Sequence, residues 1–494
     1  MTILGRWLGA AAGLTAGAAA VTAFTVHAAP AVTNAVPNAA PAAASRLAWS
    51  PCDDPENPGA ECATLSVPVD WERPDGPKLG LALARRTATG PGERVGTLVF
   101  GPGGPGDSGV DRVVTGIGRF SPEIRRRFDI VSFDPRGVGD SNPITCSGDL
   151  LARRPSPKMD GQADFAATLA YNAELRADCR ERTGPVFDHL DTAHTVRDLE
   201  ALRAALGEPK LTFHGSSYGT VLGAQYAETY PHRIRAMVLE SVLDHSLPTA
   251  RALLRDQGIA AQDSFDEFVK WCGANEGCAL HGRDVRATWK TLLARAERGE
   301  LEHPKKPGTR ISSIDLVNVI AFRAFYTADF AGLARTIAAM EASTPLPAAP
   351  TALSPLPPTA PIFCSDWRLP VRDHREYASL VRTLNTAAPD MPYLLPLRIT
   401  TACLGAPATN PQHRLKVDGA PPILLSNARH DPATGHAGAR SVARQLGRGG
   451  VLLTYEGHGH GSATSGPCME NTVNAYLTDL KVPARDTSCP ASSG

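Results

Sequence analysis

The stretch from Leu211 to Thr220, LTFHGSSYGT, constrains the fold more than any other part of the chain. Leu211, Thr212 and Phe213 make a short apolar and β-branched run that reads as a buried strand. Gly215-Ser216-Ser217-Tyr218-Gly219 follows at once, and Val221 to Ala227 then reads as a helix that stops before Pro231. A serine at the centre of G-x-S-x-G between a strand and a helix sits on a strained turn. Its hydroxyl is held clear of the sheet, at the positive end of the helix that follows. The flanking glycines are needed because side chains at Gly215 and Gly219 would collide with the neighbouring strand and helix. Ser217 occupies the central position and Ser216 does not, so Ser217 is the candidate nucleophile.

The rest of the chain supplies a sheet for this turn. Thr64 to Trp71 and Leu79 to Arg86 alternate like the strands of a hairpin. Gly96 to Phe100, Phe128 to Phe133 and Ile234 to Ser241 read as further strands, and Thr192 to Gly207 as a helix with Val196, Leu199, Leu202 and Leu206 on one face. Strands that alternate with helices or long loops predict a mostly parallel sheet covered on both faces. From Leu247 the pattern changes. Arg251 to Trp271, Val285 to Arg298, Ile314 to Tyr326 and Phe330 to Ser343 are amphipathic helical segments, and a proline-rich stretch, Thr344 to Pro361, closes the block. An all-helical block between strands predicts a cap inserted over their carboxyl ends, where ligands bind. Strands resume at Pro421 to Ser426 and Val451 to Tyr455, and a helix at Thr472 to Leu480 ends the pattern. The expected organisation is an α/β core over 46–246, a helical cap over 247–361, and the rest of the core over 362–494.

The first residues read as targeting sequence. Arg6 precedes an uncharged, Ala/Gly-rich run from Trp7 to Val26, and Val26-His27-Ala28 fits a small-residue cleavage site. This predicts a signal peptide over 1–28, a flexible leader over 29–45, and a secreted product. The alanine-rich run is a poor anchor, so no stable membrane association is expected after cleavage. In an oxidising compartment the ten cysteines are expected to pair as disulfides. Sequence neighbours give Cys52–Cys62, Cys146–Cys179, Cys272–Cys278, Cys364–Cys403 and Cys468–Cys489, a connectivity that sequence alone does not prove. There is no C-x-x-C and no paired Cys/His spacing, which argues against structural zinc. A formal net charge of +0 gives no argument for nucleic acid or an anionic membrane as a partner.

A serine hydroxyl needs a general base, and the base needs an orienting carboxylate. Asp431, in NARHDPATGH, follows one late strand, and His460, in EGHGHG, follows the next. The order Ser217, Asp431, His460 is the order of serine hydrolases built on such sheets. His458 competes with His460, and a Gly-x-Gly-His-Gly reading selects His460. Glu456 competes weakly with Asp431, because it lies too close to the histidine loop. His214, His430 and His436 read as structural or as neighbours of the site. GPGGPGDSG, from Gly101 to Gly109, lacks the lysine of a phosphate cradle, and Pro102 and Pro105 stiffen it. It suits an oxyanion hole, with Gly104 as one backbone donor and Tyr218, which follows the nucleophile, as the other. Asp134 to Ser141 reads as a structural turn tied by Arg136 and its neighbouring carboxylates. No metal and no organic cofactor are required.

Several segments together resemble one family. WSPC and ECATLSVPVDW between Trp49 and Trp71, GPGGPGDSG, FDPRGVGDS (Phe133 to Ser141), GSSYG, PIFCSDW (Pro361 to Trp367), RHDPAT (Arg429 to Thr434) and GHGHG (Gly457 to Gly461) look like the secreted actinobacterial tripeptidyl aminopeptidases. These are α/β-hydrolase serine peptidases related to proline iminopeptidases. The resemblance implies the α/β-hydrolase fold, Ser217, Asp431 and His460 as the triad, and Gly104 and Tyr218 as oxyanion donors. It also implies a cap that limits the site to short N-terminal pieces of peptides, so the expected partners are peptides with a free N-terminus. Two positions depart from the family pattern: Gly435 stands where proline usually follows Asp-Pro-x-Thr, and Ala406-Pro407 stands where Trp-Pro is frequent. An exopeptidase must also recognise an ammonium group, and Glu240, Asp244 and Asp366 are candidates by position, each with a structural role as the competing reading. The expected function is a serine exopeptidase releasing tripeptide-like fragments; an esterase on the same triad is the alternative. Oligomeric state is not legible.

Overall fold

Strand β4 (Gly96–Gly101) and strand β6 (Leu211–Ser216) are buried along their whole length. Buried strands of this kind belong at the centre of a sheet covered on both faces. In the computed structural model, which describes residues 47–492 except 91 and 93, they lie side by side in a ten-stranded sheet. The other strands are β1 (Ser50–Pro51), β2 (Glu61–Pro68), β3 (Lys78–Arg86), β5 (Phe128–Phe133), β7 (Ile234–Glu240), β8 (Ile423–His430), β9 (Gly450–His458) and β10 (Thr487–Cys489). Their spatial order is β1-β2-β3-β5-β4-β6-β7-β8-β9-β10. The β2–β3 hairpin is antiparallel and joins β5 antiparallel, while from β5 to β10 every neighbouring pair is parallel. This is the α/β-hydrolase arrangement. The expected signal peptide (1–28) and leader (29–45) lie outside the described residues.

Alternation along each strand divides the core between the two faces. Val99, Phe213, Leu239 and Leu425 pack on one side with the helices Thr192–Ala205 and Gly219–Thr229. Leu98, Phe100, Val238 and Leu424 pack on the other with Ile124, Val473 and Tyr476. The first face is continuous with the core of the helical insertion, because Leu253, Phe265, Phe268 and Trp289 belong to the same cluster. Rings of Phe265, Phe268, Phe325 and Phe330 meet edge-on or tilted at centroid distances of 5.7 to 6.2 Å.

The insertion between β7 and β8 is wholly helical apart from loops and one isolated bridge at Glu302 and Arg310. It runs further than residue 361. Pro361 stands in the first turn of the helix Ala360–Asp366, where its missing N–H costs nothing, so here proline starts a helix instead of ending the block. Helices His374–Ala387 and Leu395–Ala402 follow before the sheet resumes at Ile423. His374–Ala387 packs on Ala250–Ala274 at Gly258, where a Cβ would come within 3.0 Å of Leu384 Cδ1.

All ten cysteines are paired, and the five pairs are the sequence neighbours, with Cα–Cα distances of 4.9, 4.3, 5.2, 5.2 and 5.6 Å. Cys364–Cys403 ties two helices of the insertion together. The Asp134 turn is structural: Asp134 accepts hydrogen bonds from Ser108 Oγ and from the N–H groups of Val110 and Asp140. Beside it Arg136, fully buried, forks onto both oxygens of Asp198 at 2.8 and 2.7 Å, and Trp71 donates its indole N–H to the same carboxylate.

Candidate active site

Ser217 has φ +55°, a left-handed conformation that a residue with a side chain adopts only when its surroundings enforce it. The surroundings are specific. Its N–H donates to Glu240 O at 2.8 Å, and its carbonyl accepts from the Thr220 N–H and hydroxyl at 2.9 and 2.6 Å. A Cβ at Gly219 would lie 2.2 Å from Gly101 O, and one at Gly215 would lie 2.3 Å from Gly219 O. The turn closes only because both positions are glycine. Ser217 itself is half-buried, while all its neighbours from Leu211 to Thr220 are buried.

The loop after β4 lies against this serine. A Cβ on Gly103 would come within 2.9 Å of Ser217 Cβ and 3.5 Å of its Oγ. Gly104 has φ +104°, and a Cβ there would strike the Gly106 and Asp107 nitrogens at 2.6 and 2.9 Å. Thr359, from the insertion, fills the space over Gly106. Tyr218 leads into the helix Gly219–Thr229, and its hydroxyl donates to Asp366 Oδ2 at 2.6 Å.

Asp431 follows β8 and His460 follows β9, neighbouring parallel strands, and the fold brings the two side chains together. His460 Nδ1 is 3.0 Å from each carboxylate oxygen of Asp431. The pair is dry, with side-chain exposures of 3% and 0%. Asp431 is held by the N–H groups of Ala433 and Thr434 and by the Thr434 hydroxyl at 2.9, 2.9 and 3.0 Å. Gly459 and Gly461 have φ +102° and +105°, so the GHGHG loop turns sharply on either side of His460. His460 Nε2 is buried and has no hydrogen-bond partner among the described residues; the Ser217 hydroxyl does not close on it. A buried imidazole nitrogen, backed by a carboxylate and left unpaired, has the geometry that a general base needs.

His458, the competitor, stacks its ring on His430 at 4.9 Å, while the hydrogen bonds to Asp431 come from His460. Glu456 is bound by Arg429 through two hydrogen bonds of 2.9 and 2.7 Å. The three carboxylates considered for an ammonium group are all buried and engaged internally. Asp244 accepts from Ser246 and Gln445. Glu240 accepts from the Ser462 and Ala463 N–H groups, lies 3.0 Å from His214 Nε2 and 3.7 Å from Arg119 Nη2. Burial alone would raise its carboxyl, but His214, Arg119 and the Ala463 N–H hold it well below the usual carboxylate range. Asp366 accepts from Thr192 N and Oγ1, Tyr218 Oη and Asn410 Nδ2, and burial pushes it up to about 6 against those bonds.

Two contributors had no clear signal in the sequence. Tyr326 covers His460: their rings lie 4.2 Å apart, and its carbonyl accepts the His460 N–H at 2.9 Å. A π-helical turn, Leu316–Ala321, sets its position, and such turns recur near functional groups. Ser241, at φ +55°, accepts the Gly461 N–H at 2.8 Å. Thr434, whose hydroxyl bonds Asp431, stands in the RHDPAT segment three residues after the aspartate. Gly435 begins the helix His436–Gln445 where a Cβ would come within 3.1 Å of Ala260 Cβ, so this departure lets the helix Ala250–Ala274 approach closely.

Known proteins fit this picture. The family model described as TAP-like protein matches residues 397–489. Serine protease Hip1 of Mycobacterium tuberculosis is 32% identical over 482 residues, covering 90% of this chain and 91% of its own. The tripeptidyl aminopeptidase of Streptomyces lividans is 31% identical, covering 87% of this chain and 83% of its own. A protein named carboxylesterase B, also from M. tuberculosis, is 29% identical, covering 90% of each chain. Likeness of this extent, on a sheet that sets Ser217, Asp431 and His460 after β6, β8 and β9, makes the chain a serine hydrolase of the tripeptidyl aminopeptidase family within the α/β-hydrolases.

Proposed function

We propose that the protein is a secreted serine exopeptidase that cleaves peptide bonds near free N-termini and releases short, tripeptide-like fragments. The observation that carries the chemistry is the buried, unpartnered His460 Nε2 backed by Asp431, on a sheet whose strained turn holds Ser217. In this reading His460 takes the Ser217 proton as the hydroxyl attacks the scissile carbonyl. Asp431 fixes the tautomer with the proton on Nδ1 and stabilises the imidazolium. The N–H groups of Gly104 and Tyr218 hold the oxyanion. The amine leaves with a proton from His460, and water then hydrolyses the acyl-enzyme. The peptide class is supported by the likeness to a tripeptidyl aminopeptidase and a serine protease. Export is supported by the Arg6-to-Ala28 pattern and the paired cysteines; among the described residues no helix is long and apolar enough to cross a membrane.

The likeness to a carboxylesterase supports a second reading, hydrolysis of esters on the same triad. Tripeptide anilides with a free amine, their N-acetylated versions and simple esters separate the two. The first reading expects kcat/KM for the free-amine tripeptides to exceed that for the blocked ones by roughly 10⁴-fold or more, the discrimination of a site built to bind a polar group that the analogue lacks. Equal rates on blocked peptides, or turnover of esters alone, overturn it. Ser217→Ala is expected to lower kcat by roughly 10⁴-fold or more.

A further inference from the structure

Beside the acid–base pair lies a group of side chains that the reaction does not use. Glu267 is on the helix Ala250–Ala274, His430 ends β8 and His458 ends β9. One ligand atom from each lies within 4.8 Å of the other two. The imidazoles of His430 and His458 stack at 4.9 Å with an interplanar angle of 25°. His430 Nδ1 bonds Asp263 Oδ2 at 2.8 Å, which leaves its other nitrogen available. His458 Nδ1 is buried and without a hydrogen-bond partner among the described residues. Glu267 shares one oxygen with Lys270 Nζ at 2.5 Å, and that lysine is 71% exposed.

We propose that Glu267, His430 and His458 form a binding site for a zinc-class divalent cation, with Asp263 orienting His430. Two imidazoles and one carboxylate are a three-ligand set that zinc accepts, with its fourth position left to water. A carboxylate on the far nitrogen of a ligating histidine is the usual partner that fixes its tautomer. The contact of two stacked imidazoles with a carboxylate is otherwise a poor way to bury an unpaired ring nitrogen.

The site spans three elements, and two of them lead into Asp431 and His460. His430 adjoins Asp431, His458 shares its loop with His460, and the Gly459 N–H already donates to His430 O at 3.3 Å. A bound cation clamps the insertion's long helix against both loops.

The test uses the full chain, stripped with EDTA, dialysed into metal-free buffer and titrated with zinc chloride. Bound zinc is read by atomic emission and by competition with a chromogenic chelator, with peptide hydrolysis followed in parallel. One zinc per chain is expected, released on addition of EDTA. Glu267→Gln is expected to weaken binding about tenfold or more, and Asp263→Asn about 10- to 100-fold, as for other lost partners of ligating histidines. Lys270→Ala, which frees a Glu267 oxygen, is expected to tighten it. Each variant is checked for native circular dichroism and zinc-free activity. Absence of retained zinc, or parental affinity in both Glu267→Gln and His458→Gln, overturns the site.

Discussion

The serine turn is bracketed by two buried carboxylates, one on the sheet side and one on the side of the helical insertion. Glu240 ends β7, and its backbone carbonyl receives the Ser217 N–H. Asp366 ends the helix Ala360–Asp366 and receives the Tyr218 hydroxyl. Exposure does not separate them: Glu240 is 4% and Asp366 0% exposed. Their proton affinities are opposite. Glu240 is held well below the ordinary range, and Asp366 is pushed up to about 6. The difference lies in the donors. Arg119 and, when protonated, His214 bring positive charge to Glu240. Asp366 has only the neutral donors Thr192, Tyr218 and Asn410. Neutral hydrogen bonds ease the burial of a carboxylate but do not cancel its desolvation, whereas a cation reverses the balance. The floor of the turn is thus an ion-paired anchor, and its roof is a junction that titrates.

The largest expected effect is at the floor. Glu240→Gln keeps the shape but removes the charge that faces Arg119 and His214; Arg119 is 28% exposed, so the cost is expected at the lower end, about 3 kcal/mol, of that for breaking a buried pair. Urea unfolding at pH 7 measures it; a midpoint like the parent's would break the comparison by showing that Glu240 is no anchor.

The roof is expected to show itself through pH. A carboxyl with a folded pKa of about 6 and an unfolded value of 3.8 binds more protons when folded, so its contribution is fully present below the unfolded value. It is lost as pH rises through the folded value, by roughly 3 kcal/mol in all at 1.36 kcal/mol per pKa unit. Asp366→Asn does not titrate. Its stability relative to the parent is expected to rise from about pH 4 to about pH 6 and to level off above, and a flat difference curve would place the Asp366 pKa at its ordinary value. Glu240 has the opposite sign: its contribution is present above the unfolded value and falls away only in acid.

The smallest effect sharpens the boundary between roof and reaction. Tyr218→Phe removes one hydrogen bond to Asp366, a loss of about 1 kcal/mol. The backbone N–H proposed as oxyanion donor is kept, so kcat/KM is expected to stay within about an order of magnitude, against the 10²- to 10³-fold cost of losing such a donor. A loss of that larger size would mean that the Tyr218 ring positions the turn itself.

What the sequence determined by itself was local. Gly215 before Ser217 must clear Gly219 O, and Gly459 and Gly461 beside His460 take positive φ, demands set within a few residues, whereas Gly219 must clear Gly101 O at the end of β4. Unbroken apolar runs marked the central strands, and cysteines close in sequence found one another because short loops close easily. Tertiary structure decided everything that joins distant segments. Pro361 starts a helix of a longer insertion, and Tyr326 crosses from that insertion to cover His460. Glu240 and Asp366, candidates for an open cleft when read as sequence, are instead buried beneath and above the turn. Whether a carboxylate meets water, a cation or a neutral hydroxyl depends on which elements pack over it, and no spacing along the chain encodes that.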